Sequence, residues 1–192
     1  HPDMGFPGGR SQPYTEIHHE YGDIETQGLR TSSRTELPGG GFVGRGPDDP
    51  VGISQFASIK HGPDGITTTS SVFTDLIDEG FLRRHDISQE YLRSGKPLPE
   101  KALAELRSKG WDRSLGVSGS VLDRGARRHM EHILSGGAIV TQKDFLKSKA
   151  LEWKAIADRG GKTEFHAWNV SYDLGEIIAN MRRAYNSVGG RA

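Results

Sequence analysis

Asp23 and Glu25 stand two apart in the segment Asp23-Ile24-Glu25-Thr26-Gln27-Gly28-Leu29. On an extended strand, residues two apart point to the same face, so the two carboxylates would present together. A third acid, Asp173, follows four residues after Asn169 in Asn169-Val170-Ser171-Tyr172-Asp173. Hard divalent cations take oxygen ligands of this kind and keep positions open for water and phosphate oxygens. Two acids on one strand, joined by a third from a distant helix, suit a two-metal site that cleaves phosphodiesters. The plainer readings are two solvated acids on an edge strand, and a carboxylate at a helix start favoured by the macrodipole.

The elements that must position these acids follow from pattern. Residues 1–14 are rich in Gly and Pro and read as an extended arm. Thr15 to Glu25 reads as a strand, but a polar one, with Ile17, Tyr21 and Ile24 its only large apolar side chains. A buried central strand is usually far more apolar. Residues 30–50 read as a long loop dense in Gly, Pro, Ser and Asp, and a loop of that length is functional or disordered. Val51–Lys60, the turn His61-Gly62-Pro63-Asp64-Gly65 and Ile66–Phe73 predict an antiparallel hairpin.

Residues 74–135 read as a broken helical stretch, with Leu122, Ala126, His129 and Ile133 on one face of its last helix. A helix over 144–158 is expected to bury Leu146, Ala150, Trp153 and Ala157. A short strand, Thr163–Trp168, then delivers Asn169, and Ser171 is expected to cap a final helix carrying Leu174, Ile177, Ile178, Met181 and Tyr185. Trp168 is expected in the core, with base stacking the lesser reading. His129 and His132 read as surface residues. His18 and His19 do not suggest zinc, because neighbours on a strand point to opposite faces.

The chain of 192 residues balances 25 basic against 25 acidic side chains, yet unevenly. Residues 1–29 hold five acids and one base, whereas 82–130 hold eleven Lys or Arg against six acids. An acidic motif beside basic segments suits a metal site facing a phosphate polymer. Charged surface helices alone are the bland alternative. No apolar run approaches the roughly 18 residues that span a bilayer, no signal-peptide pattern opens the chain, and there is no cysteine. The expectation is a protein of the cytoplasm, of a cell or of a virus-infected host, with no membrane partner.

This order of parts resembles the DEDD superfamily of 3′–5′ exonucleases, whose fold is ribonuclease-H-like. Residues 23–29 match the first family motif, Asp-x-Glu-Thr-x-Gly-Leu, at every fixed position, and Asn169 with Asp173 match the second. His166 and Tyr172 are similar to residues common around that second motif. The resemblance covers 15–73 and 144–187. It implies an α/β fold, a mixed sheet flanked by helices over 15–192, with 74–143 as a helical insertion. It implies Mg²⁺ or Mn²⁺ in a two-metal site held by Asp23, Glu25 and Asp173. Thr26 and Leu29 would lie against the terminal nucleotide, and Asn169 would orient the site or substrate. The implied substrate is a nucleic-acid 3′ end, single-stranded, and the implied activity is hydrolysis of its phosphodiester bonds.

The chain departs from the family at its third motif, a His or Tyr followed by a final Asp on a later helix. Only nineteen residues follow Asp173, and Glu176 is the one acid among them. The expectations are three: a fragment incomplete at its C-terminus, a split enzyme whose polymerase or second chain supplies the missing helix, or a non-catalytic nucleic-acid-binding or assembly subunit. Glu176 lies one helical turn from Asp173 but is not expected to replace the missing acid.

Overall fold

The computed structural model describes residues 13–28, 35–37, 41–43 and 51–187. The arm before Pro13, Leu29 and most of the 30–50 segment lie outside the described residues. The described residues form seven strands and six helices. They are β1 (Ile17–Thr26), β2 (Thr35–Leu37), β3 (Gly41–Val43), β4 (Ile53–His61), β5 (Thr67–Thr74), α1 (Glu79–Arg84), α2 (Gln89–Arg93), α3 (Glu100–Ser108), α4 (Val121–Leu134), β6 (Ile139–Val140), α5 (Gln142–Asp158), β7 (Lys162–His166) and α6 (Val170–Ser187). The fold is α/β: a five-stranded mixed sheet in the order β6-β5-β4-β1-β7, flanked by helices. β2 and β3 form a separate antiparallel pair inside the segment expected to be loop throughout.

β1 lies between an antiparallel neighbour, β4, and a parallel one, β7. β4 and β5 are the expected hairpin. β6, which the sequence did not suggest, pairs in parallel with β5 and extends the sheet at the end of the helical stretch. At the end of β1 the register shifts, with Glu25 opposite Gln55 and Thr26 opposite Ile53, so Ser54 is the extra residue of a bulge. Bulges increase local twist and re-aim side chains, and this one falls beside the acid pair.

The apolar interior is in two parts. Ile24, Ile53 and Phe56 from the sheet pack with Phe145 and Leu146 of α5 and Ile177 of α6. The helical stretch has its own core, including Phe81, Leu103, Leu106, Trp111, Met130 and Ile133. This second core explains why a long stretch outside the motif-bearing elements holds together.

The polarity of β1 has two physical causes. On the core face Glu20 is buried, but its carboxylate accepts from Lys149 Nζ at 2.5 Å and from Trp153 Nε1 at 3.0 Å. Gly22 leaves room for Phe165 of β7: a Cβ there would come within 2.6 Å of that ring. On the other face the strand is open beyond its α4 end, and Tyr21 and Asp23 reach solvent.

The buried ion pair also corrects the reading of α5. Its inward face carries Phe145, Leu146, Lys149 and Ile156, while Ala150 and Ala157 are exposed. The stripe is displaced because Lys149 must reach Glu20. Two further expectations fail on burial. Trp168 is fully exposed, since the turn after β7 carries it away from both cores. His129 is fully buried, because α4 lays it on Phe73 at a ring separation of 5.3 Å. Its neighbour His132 is half-buried, stacked 4.0 Å from the same ring. Among the described residues, no helix is long and apolar enough to cross a membrane.

Candidate functional site

The acid-bearing end of β1 is held from three sides. Gln27 exchanges backbone and side-chain hydrogen bonds with Gly52, N to O at 3.0 Å and Gly52 N to its Oε1 at 2.9 Å. Its Nε2 donates to the Lys109 carbonyl at 3.0 Å, and its own carbonyl accepts from Asp112 N at 2.8 Å. One side chain therefore couples β1, β4 and the helical stretch. From the third side, Tyr172 of α6 closes over the turn. The hydroxyls of Thr26 and Tyr172 lie 2.7 and 3.1 Å from the Gly28 carbonyl and 3.1 Å from each other.

The C-terminal motif is placed by α6. Asn169 itself, rather than Ser171, serves the helix start: its carbonyl accepts from Asp173 N at 2.9 Å and its Oδ1 from Tyr172 N at 3.4 Å. A short polar side chain just before the first helical residue is the usual place for such capping. Asp173 is buried, 6% exposed, and the side chain of Glu176 one turn on accepts from Val51 N at 3.0 Å. Asn180 donates to the Val51 carbonyl at 2.8 Å. Glu176 thus anchors α6 to the chain entering β4.

The three carboxylates read from the sequence share one electrostatic neighbourhood. Asp23 is exposed and Glu25 half-buried. Burial first, then the charge of Asp23, raises the Glu25 carboxyl above its ordinary range; Asp173 adds to this, and Arg128 and Arg124 oppose it. Burial first, then Asp23 again, raises Asp173, against a backbone hydrogen bond from Asn169. Acids that lift one another in this way are concentrated at functional sites, although structural clusters do so too.

The cations come from the helical stretch. α4 approaches β1 at Gly125, where an added Cβ would sit 3.2 Å from Glu25 Oε2. The missing side chain lets the helix bring Arg128 Nη1 to 3.8 Å from Glu25 Oε1. Beyond this contact the same sheet face lies open. A shallow groove of about 520 Å³ runs past Asp23, walled by Tyr21, Ile59, Thr69, His166 and Trp168.

The donor set, three carboxylate oxygens with solvent beside them, is chemically suited to hard divalent cations. The three are not gathered as tightly as ligands of a single ion. Among the described residues, the group whose potential ligand atoms all lie within 4.8 Å of one another is His19, Glu164 and His166. Thr26 faces inward onto Tyr172, Asn169 is exposed at the helix start, and Leu29 is outside the described residues. The sequence shows the basic surplus but does not single out Arg124 and Arg128 within it, and it gives no sign of the histidine group. No family model, curated protein or solved structure matches the chain.

Proposed function

We propose that this chain is a nucleic-acid-processing module of ribonuclease-H-like architecture, a metal-dependent 3′–5′ exonuclease domain or a part of one. The observation that carries this reading is the placement of the acids: Asp23 and Glu25 on a first strand between β4 and β7, and Asp173 buried at the start of α6 and acting on Glu25. The sheet supports it: a first strand between an antiparallel hairpin and a parallel return strand is the arrangement the motif resemblance requires.

In this reading Asp23, Glu25 and Asp173 hold Mg²⁺ or Mn²⁺, with different carboxylates on different ions. Bound cations of this kind activate water and stabilise charge on the leaving oxygen. The chain's own residues do the rest. Gln27 and Tyr172 fix the backbone that carries Glu25 and Thr26. Asn169 fixes the start of the helix that carries Asp173. Arg124 and Arg128 draw a phosphate chain toward the acids, and the groove beside Asp23 offers the exposed Trp168 as a surface for base stacking.

The test is a 5′-labelled single-stranded DNA or RNA oligonucleotide incubated with the chain and Mn²⁺. Progressive shortening from the 3′ end, lost in Asp23→Asn, supports the reading. A second reading, a non-catalytic binding subunit, is favoured by the looseness of the acid trio, whose carboxylates are not among the described groups gathered as closely as ligands of one ion. Retarded but uncut oligonucleotide supports that one.

A further inference from the structure

The open face of the sheet carries a cluster that the carboxylate site does not use. His19 of β1 stands opposite Glu164 of β7 in the parallel ladder, and His166 lies two residues beyond Glu164 on the same face. His19 Nδ1 and His166 Nε2 are 3.1 Å apart. Glu164 Oε2 lies 3.5 Å from the first nitrogen and 4.0 Å from the second. All three residues are half-buried, and their potential ligand atoms lie within 4.8 Å of one another.

We propose that His19, Glu164 and His166 form a binding site for a divalent transition metal of the zinc class, with its fourth position open to solvent. The distances carry the argument. Zn–N bonds of about 2.0–2.1 Å in a tetrahedral site put neighbouring ligand atoms about 3.3–3.4 Å apart. The three observed separations bracket that edge length. Two imidazoles and one carboxylate, with one position left for water, is also a donor set that open zinc sites use.

The surroundings fit a held ligand set. Tyr21 stacks on the His166 ring at 4.6 Å and 16°, which limits its rotation. Glu164 gives its other oxygen, Oε1, to Lys162 Nζ at 3.3 Å, which leaves Oε2 aimed at the imidazoles. His18, one residue before His19, turns the opposite way and binds Glu16 at 3.0 Å. The ligand set differs from the acid trio: His19 and Asp23 are four residues apart on one strand, about 13 Å, while His166 and Asp23 line the same groove. It clips β7 to β1, and the inference does not rest on the nuclease reading.

The test uses the untagged full chain, freed of metal and titrated with Co²⁺ as a visible probe for Zn²⁺. The expected result is a low-coordinate Co²⁺ absorption band that Zn²⁺ displaces and Mg²⁺ does not, with Zn²⁺ raising the thermal unfolding midpoint. Losing a first ligand should exceed the ten- to hundredfold loss typical of an outer partner, so His19→Gln and His166→Gln should weaken binding by about a hundredfold or more. His18→Gln should bind as the wild type does, and circular dichroism checks that each variant is folded. A wild-type chain that gives no band overturns the proposal. So does a band that survives both His19→Gln and His166→Gln, or one lost in Asp23→Asn but kept in His19→Gln, which would assign the ion to the acid trio.

Discussion

Arg128 Nη1 lies 3.8 Å from Glu25 Oε1, so a base from the helical stretch faces an acid of the first strand. The contact is partly solvated, and pairs of that kind contribute little to stability. Its position is what matters, because in the proposed reading the guanidinium stands where phosphate oxygens of a bound strand would come. Arg124, on the same helix, acts on Glu25 in the same direction.

Replacing Arg128 with Gln should therefore have two opposite effects. Affinity for single-stranded oligonucleotide should fall, with the slope of log K against log salt shrinking by about 0.7 for one lost phosphate contact. Mn²⁺ binding should tighten by a few-fold, since a like charge has been removed beside a ligand. Filter binding at several salt concentrations and a Mn²⁺ titration read the two effects. An unchanged salt slope would remove Arg128 from the binding surface.

Burial first, and then the charge of Asp23, raises both of its acidic neighbours, so the trio repels itself when no cation is bound. A carboxyl whose folded pKa is raised stabilises the fold below its unfolded pKa, and that contribution is lost as pH rises through the folded value. At neutral pH the repulsion is thus fully felt. Asp23→Asn should stabilise the chain in EDTA, by at most about 1 kcal/mol given the solvent around the group. With saturating Mn²⁺ the order should reverse, because only the wild type gains from binding. Thermal unfolding under both conditions checks it, and a variant less stable in EDTA would contradict the shared electrostatics.

The pair of Glu20 and Lys149 is buried, at 2.5 Å, with Trp153 as a second donor. Removing one partner strands the other charge, so Lys149→Met should destabilise by about 3–5 kcal/mol. The double variant Glu20→Gln, Lys149→Met should recover most of that loss, because Gln still accepts from Trp153 and carries no charge. Denaturant unfolding of the four proteins completes the cycle, and additive losses would mean the pair is not coupled.

What was legible in the sequence followed local periodicity. The hairpin after residue 50 and the helices bearing Leu146 and Ile177 are written in turn residues and apolar spacing. The acids Asp23 and Glu25 share a face because strands alternate, which two positions suffice to reveal. What failed depended on partners remote in the chain. Lys149 does not read as an inward residue until Glu20 is beside it. His19 reads as a lone strand histidine, since His166 lies 147 residues away. Trp168 looked like core because large aromatics usually are, and no local signal says that the turn carrying it leaves the sheet. The bulge at Ser54 is likewise a product of pairing, not of composition.

His129 offers a pH dependence that belongs to the fold rather than to the site. Its imidazole is fully buried on Phe73, and neither ring nitrogen has a hydrogen bond of good geometry. Burial is the main cause that lowers its pKa to about 4, with the Thr74 backbone pulling the other way and His132 adding to the drop. The groups facing it are Asp75, which favours the charged form, and His132, which disfavours it. In the unfolded chain the ring titrates near its ordinary value of 6.5, so between these two pH values the unfolded state binds the extra proton. Stability is therefore complete above about pH 6.5 and declines as pH falls toward 4, by up to about 3 kcal/mol for this group. His129→Leu removes the proton uptake while keeping an apolar side chain against Phe73. Urea unfolding between pH 4 and 7 should show the wild-type midpoint falling more steeply than the variant's, and parallel curves would mean that the buried ring is not what makes the fold acid-sensitive.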